Sequence, residues 1–164
     1  MISARKLLVG LGLAVCAMIA IPTVASANTL LERTCRLEST DGTLQDGSRF
    51  DLHQFAGIEG QTVTILLESD DFDPYLIVED PSGERIGEHD DIDYDNDNLN
   101  ALVALTLNRN GMYTIYTNSY DNTGFGTYTL LVSSPTNSPQ PITDRAADCG
   151  NGGRNLLELQ QGAT

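Results

Sequence analysis

The chain has 164 residues and carries 23 acidic against 9 basic side chains, so its net charge at pH 7 is −14. A protein this acidic repels nucleic acid and anionic membrane surfaces, and these two classes of partner are therefore excluded. The same charge suits divalent cations or basic partners, although it is equally typical of a protein whose charge serves solubility alone.

The first 27 residues have the pattern of a secretory signal peptide. Arg5 and Lys6 form a positive segment, residues 7–21 form an apolar one, and Ala25-Ser26-Ala27 is a small-residue cleavage site. We expect cleavage after Ala27 and a secreted or periplasmic protein. An uncleaved membrane anchor is the alternative.

Residues 28–133 contain a series of short segments that predict strands. In 62–68, Val63, Ile65 and Leu67 share one face, which indicates a strand with one side buried. The run 75–78 is apolar without alternation and predicts a central strand covered on both faces. The other predicted strands are at 34–38, 50–55, just after the turn at 80–83, 101–107, 112–118 and 127–133. About eight short strands separated by Gly, Asp, Asn and Pro turns predict an all-β protein, a β-sandwich of antiparallel strands.

The composition changes at residue 134, where a Ser/Pro-rich stretch begins, and we predict a linker and tail over 134–164 with a helical turn or two at 155–161. Cys35 and Cys149 are the two cysteines of the mature chain. In an oxidising compartment they predict one disulfide that ties the tail to the first strand. Thiol catalysis or zinc binding is disfavoured because neither Cys lies in a CxxC spacing.

One predicted hairpin brings two acidic clusters together. Asp80-Pro81-Ser82-Gly83 is turn chemistry between the strand at 75–78 and the short strand that follows. Acidic residues flank this unit on both sides: Asp70, Asp71 and Asp73 before it, and Asp90, Asp91, Asp93, Asp95 and Asp97 after it. Because the chain goes out and returns, we expect both clusters at the same end of the hairpin.

The region from about residue 42 to 133 resembles the bacterial pre-peptidase C-terminal domain, which is related to clostridial collagen-binding domains. The residues that carry the resemblance are DGSRFD (46–51), GQTVTI (60–65), DFDPYL (71–76), DPSG (80–83), EHDD (88–91), GMYT (111–114) and GTYTL (126–130). The resemblance implies a jelly-roll-like β-sandwich and a binding role. We expect no attached peptidase, and 92–98 replaces the family's usual Gly/Ser-rich loop with an acidic one. The resemblance therefore implies only the fold and a binding role.

Calcium is the candidate cofactor. Hard cations take six to eight oxygen ligands, including carboxylates on flexible loops. Residues 91–97 superficially copy the start of an EF-hand loop, but Asn96 stands where Gly is needed and Leu102 where a bidentate Glu is needed. We therefore predict a different site, which joins two pairs of carboxylates across the hairpin: Asp71 and Asp73 with Asp90 and Asp91. Solvated acidic loops without an ion are the alternative.

Catalytic patterns are weak in this chain. The two histidines, His53 and His89, accompany no G-x-S-x-G elbow and no H-E-x-x-H motif, and we predict His53 to be a packed or surface residue. His89, beside Asp90, is a weak candidate for a metal ligand. Paired carboxylates acting as acid and base would need a dry pocket beside aromatic surface, and the chain has no Trp.

Outward tyrosines give a second candidate site. In 112–120, Tyr113 and Ile115 share one face, Tyr116 lies on the other, and Tyr120 follows in the next loop. Tyrosines on a sandwich face supply contact area for extended peptides or sugars at little entropic cost. Tyr116 and Tyr120 are therefore the predicted ligand-binding residues, although strand tyrosines that merely cover a sheet are common.

The sequence as a whole predicts an exported, non-catalytic binding or accessory module for protein or polysaccharide, with a calcium site. A small secreted hydrolase that uses the acidic hairpin end is one alternative. A purely structural envelope protein is another.

Overall fold

Two antiparallel sheets pack face to face in this structure, a computed structural model that describes residues 27–135 and residue 149. The strands are β1 (Ala27–Leu37), β2 (Gly42–Thr43), β3 (Arg49–Gly57), β4 (Thr62–Glu68), β5 (Pro74–Glu79), β6 (Arg85–His89), β7 (Ala101–Thr106), β8 (Gly111–Ser119) and β9 (Gly126–Pro135). One sheet has the order β1-β9-β4-β7 and the other β2-β3-β8-β5-β6. A 3₁₀ turn (Tyr94–Asn96) is the one helical element between Ala27 and Pro135, and no described helix is long and apolar enough to cross a membrane.

The core lies between the sheets and is built from alternate residues of the strands. In β4, Val63, Ile65 and Leu67 are fully buried, as their period-two pattern predicts. β5 differs because three successive residues, Leu76, Ile77 and Val78, are buried. Leu76 and Val78 join the core. Ile77 therefore points to the outer face, where it is only 3% exposed. The predicted burial of both faces is confirmed for 76–78, whereas Tyr75 is half-buried.

The predicted β-sandwich is confirmed, with two differences in its strands. There are nine strands in the described region, because the two-residue β2 pairs with β3. β1 begins at Ala27 rather than near Thr34, since its first half also pairs with β9 and buries Leu31. Apart from Ala27, the predicted signal peptide lies outside the described residues. So does the predicted tail, including its helical turn, apart from Ser134, Pro135 and Cys149.

The predicted disulfide is present. Cys35, buried on β1, is bonded to Cys149, and their Cα atoms are 5.3 Å apart. The bond holds residue 149 against the edge of the four-stranded sheet, where β1 is the outermost strand.

Reduction of this disulfide is expected to lower the melting temperature. The bond closes a loop across 114 positions, and in the chain-entropy treatment such a loop contributes about 4–5 kcal/mol to the free energy of unfolding. Thermal melts with and without a thiol reductant measure the effect. A Cys149→Ser variant, which has no bond to lose, is the control and should melt at the same temperature in both buffers. Equal melting of the oxidised and fully reduced natural chain would contradict the expectation.

Three hydrogen-bonded polar side chains connect the two sheets inside the core. The Tyr128 hydroxyl on β9 donates to Asp51 Oδ2 on β3 at 2.7 Å, and His53 Nε2 lies 2.8 Å from the same hydroxyl. All three residues are buried. Of the two predicted environments of His53, packed or at the surface, the structure therefore shows the packed one. Burial raises the pKa of Asp51 to about 6; the Tyr128 hydrogen bond opposes this, and the negative charges of Asp41 and Glu38 add to it.

The raised pKa of Asp51 predicts that the protein is more stable in mild acid. A carboxyl whose pKa is higher in the folded than in the unfolded chain contributes stability below its unfolded pKa of 3.8, and that contribution is lost as the pH rises through 6. The natural chain should therefore lose unfolding free energy between pH 4 and pH 7, and Asp51→Asn should make this loss smaller by on the order of 2–3 kcal/mol.

Urea unfolding at several pH values, in the presence of a chelator, tests this. Asp46→Asn is the matched control, because hydrogen bonds from Ser48 lower the pKa of Asp46 and its contribution changes only below the unfolded value. If Asp51→Asn leaves the pH dependence between 4 and 7 unchanged, the assignment is wrong.

Candidate metal centre

The hairpin formed by β5 and β6 places the acidic residues at one end of the sandwich. Leu76 is paired with His89 and Ile77 with Glu88, so Asp73 comes immediately before β5 at the same end at which Asp90 follows β6. The predicted convergence of the two acidic clusters is confirmed for these residues.

The opposite end of the hairpin is held by a buried carboxylate in the predicted turn. Asp80 Oδ1 accepts hydrogen bonds from the backbone N–H groups of Ser82 at 2.7 Å and Glu84 at 3.2 Å. Asp80 Oδ2 accepts from Asn108 Nδ2 at 2.9 Å and lies 3.1 Å from Arg109 Nε. The Ser82 hydroxyl also donates to Asp80 Oδ1. Its hydrogen bond is the largest of the contributions that hold the pKa of Asp80 far below its usual range. The turn thus fixes the hairpin from which the acidic end is built.

Three carboxylates meet at the acidic end. Asp73, Asp90 and Asp91 each offer an oxygen, and these oxygens lie within 4.8 Å of one another. Two oxygens that bind one calcium ion at about 2.4 Å are at most about 4.8 Å apart. The spacing is therefore compatible with a single ion held by all three side chains.

These carboxylates have oxygens without hydrogen-bond partners. Oδ1 of Asp73, Oδ1 of Asp90 and Oδ1 of Asp91 are all shielded from solvent, and none has a hydrogen-bond partner among the described residues. A buried, unpaired carboxylate oxygen is costly, because the protein does not replace the hydrogen bonds that water would donate. A cation between the three side chains would remove that cost.

The pKa values reflect the same crowding. Burial raises the pKa of Asp73 to about 6, and the negative charges of Asp91, Asp90 and Asp121 add to the rise. Burial followed by the charge of Asp91 also raises the pKa of Asp90. Like charges at this distance disfavour ionisation unless a cation neutralises them.

Asp71 was predicted to complete the set, but its carboxylate has a different partner. Asp71 Oδ2 accepts a hydrogen bond from the backbone N–H of Thr127 at 2.7 Å and is not part of the 4.8 Å group. It packs against Gly126, whose φ of +147° and lack of a side chain allow this close approach. Asp71 therefore attaches the loop before β5 to the start of β9.

The remaining acidic residues of the loop after β6 are turn residues on the surface. Asp93 accepts a hydrogen bond from the backbone N–H of Asn98, and Asp97 has a left-handed φ of 61° after the 3₁₀ turn. These exposed side chains are not in the 4.8 Å group. His89 is not in the 4.8 Å group either. Its Nδ1 accepts a hydrogen bond from the Leu102 N–H at 3.3 Å and so links β6 to β7.

The two predicted ligand-binding tyrosines have different surroundings. The Tyr116 ring is 5.3 Å from the Phe50 ring, and its hydroxyl donates to Glu79 at 3.2 Å, so its contacts are within the outer sheet face. Tyr120 is 59% exposed, and its backbone N–H donates to the Asp73 carbonyl at 2.8 Å. It lies immediately beside the candidate metal centre.

A groove of about 750 Å³ runs beside Tyr120 on the outer face of the five-stranded sheet. Its lining comprises Leu44, Gln45, Asp46, Tyr75, Ile77, Arg85, Asn118 and Tyr120. Of these residues, Tyr120 is predicted from the sequence as a binding residue and the others are not. The period of β5 would have put Tyr75 and Ile77 on one face, but the approach of residues 44–46 depends on long-range packing.

No protein-family model matches this chain, and no curated protein matches it either. The resemblance to the pre-peptidase C-terminal domain stays a prediction.

Proposed function

We propose that this chain is an exported, non-catalytic binding module that a calcium ion stabilises at Asp73, Asp90 and Asp91. The observation that carries the proposal is the convergence of carboxylate oxygens from these three residues within 4.8 Å of one another. Each residue also has a solvent-shielded Oδ1 without a hydrogen-bond partner among the described residues. The resemblance to the pre-peptidase C-terminal domain supports the same role, because it implies a binding module on a β-sandwich.

Calcium is favoured by the chemistry of the donors. The three side chains offer carboxylate oxygen, which is the ligand type that hard cations prefer. They lie at the ends of strands and in loops, where the adjustable coordination of calcium is easier to satisfy than the strict octahedron of magnesium. Water or other oxygens would complete the six to eight ligands. When bound, the ion would neutralise the repulsion between Asp73 and the pair Asp90–Asp91, and so hold the two ends of the hairpin together.

Export is supported by two features. The first 27 residues have the pattern of a signal peptide, and Cys35 and Cys149 form a disulfide of the kind that persists in oxidising compartments. A binding role is supported by the groove beside Tyr120, which is within the size range of ligand sites.

A thermal melt in calcium against chelator tests the metal site. We expect millimolar calcium to raise the melting temperature by several degrees, since a ligand at 100 times its Kd stabilises by about 2.7 kcal/mol. Asp73→Asn should abolish this shift, and it should also raise the melting temperature in chelator because it removes one of the repelling charges.

Asp71→Asn is the matched control for this experiment. The substitution also removes one charge from the same loop, but an Asn oxygen can still accept the hydrogen bond from Thr127. This variant should keep the full calcium shift. Loss of the shift in both variants would point to general electrostatics rather than to the three-carboxylate site, and no shift in the natural chain would remove the metal from the proposal.

Calcium binding is expected to weaken below pH 6. The pKa of Asp73 in the metal-free protein is about 6, so in more acidic solution the ion must displace a proton before it can bind. The apparent affinity should fall by about tenfold per pH unit if one proton is displaced. Calorimetric titrations with calcium at pH 5, 6 and 7.5 measure this. An affinity that does not change over that range would contradict the displacement of a proton from Asp73.

A further inference from the structure

The groove beside Tyr120 has a floor made by β5 and β8, two adjacent inner strands of the five-stranded sheet. Ile77 comes from β5 and Asn118 from β8, and the residue pairing places Asn118 opposite Tyr75. The Tyr75 and Tyr120 rings lie 6.4 Å apart at one side, with their planes tilted by 55°. Residues 44–46, which follow β2, and Arg85 of β6 complete the lining.

Asn118 is the unusual residue of this floor. Its side chain is on the outer face of the sheet and only 2% of the residue is exposed, yet its amide oxygen Oδ1 has no hydrogen-bond partner within the described chain. A buried amide oxygen without a donor costs free energy. Because this oxygen is shielded from solvent, a hydroxyl or amide group in the groove could supply that donor only after the Asn118 side chain turns toward it.

The backbone of the floor is not available to a ligand. β5 lies between β8 and β6, and β8 lies between β3 and β5, so the N–H and C=O groups of both strands are used within the sheet. Extended peptides that bind to sheets usually add a strand to a free edge and are recognised by backbone hydrogen bonds. Recognition in this groove would depend instead on side chains, chiefly the aromatic faces of two tyrosines and the amide of Asn118. Arg85 and Asp46 also line the groove, although Arg85 is paired with Glu88 and Asp46 Oδ1 accepts from Ser48.

We infer that the groove binds a neutral saccharide. A sugar ring presents apolar C–H faces to the tyrosines and hydroxyl groups that both donate and accept, which suits an unpaired amide oxygen, a guanidinium and a carboxylate together. A charged sugar polymer is disfavoured, because Arg85 is already paired with Glu88 at 2.8 Å and the chain as a whole is strongly acidic. The inference rests on the proposed binding function and names its ligand class.

Affinity electrophoresis tests the inference with the full-length mature protein. The gels contain a neutral β-glucan, xylan, mannan or glycol chitin as probes, polygalacturonate as the anionic comparison, and gelatin as the extended polypeptide. We expect retardation by at least one neutral polymer, and calorimetry with the matching hexasaccharide should give the affinity. Tyr120→Ala should weaken that affinity at least tenfold.

Two further variants separate binding from folding. Asn118→Leu removes the unpaired amide and keeps the side-chain volume, so it should weaken the affinity at least fivefold without lowering the melting temperature. Tyr94→Ala is the control, because Tyr94 is 75% exposed in the neighbouring acidic loop and is not a lining residue of the groove. It should bind as the natural chain does.

Three results would overturn the inference: no retardation by any neutral polymer, unchanged affinity in Tyr120→Ala, or binding to gelatin or polygalacturonate alone. Measuring the same binding with Asp73→Asn, in calcium and in chelator, separates this inference from the metal site. If the natural chain binds the saccharide but calcium does not shift its melting temperature, the saccharide groove is supported and the metal site is refuted. A calcium shift without saccharide binding would refute the groove alone.

Discussion

The register of β5 is the constraint on which the rest of this structure depends. β5 pairs with β6 on one side and β8 on the other, so that Leu76 lies opposite His89 and Pro74 opposite Ser119. A slip of one residue would turn Leu76 and Val78 out of the core and Ile77 into it. The burial of these apolar side chains thus sets the register, and the register sets which polar residues meet beyond the end of the strand.

Two features of the surface follow from that one alignment. Beyond the start of β5, Asp73 meets Asp90 and Asp91. On the outer face, Tyr75 lies level with Asn118, and the hydrogen bond from the Tyr120 N–H to the Asp73 carbonyl joins the two places. This hydrogen bond ties the backbone of the candidate metal centre to the segment that carries Tyr120.

Two carboxyl groups of this protein have a pKa raised to about 6, but they differ in their partners. Asp51 has a pKa of about 6 because it is desolvated, but the Tyr128 hydroxyl donates to it and the pair is complete within the core. Asp73 has a similar pKa, and both its burial and its acidic neighbours contribute, while its Oδ1 has no donor within the described region. The difference lies in the partner rather than in the pKa, and it makes the cluster around Asp73 the candidate for a cation.

Local patterns in the sequence were sufficient for the architecture and for the place of the acidic end. Alternation in β4 and the unbroken apolar run of β5 predict strands because side chains alternate between the faces of a strand, and Asp80-Pro81-Ser82-Gly83 predicts the reversal that brings both acidic clusters to one end.

The choice between Asp71 and Asp73 could not be made in this way, since both lie on the same loop with the same parity. Tertiary structure made it: the Thr127 N–H, 56 residues away, engages Asp71 and leaves Asp73 to the cluster. The groove was decided by tertiary structure as well, because residues 44–46 meet Tyr75 and Asn118 only after the strands have paired. Period and turn chemistry act over a few residues, whereas these contacts join segments that are distant along the chain.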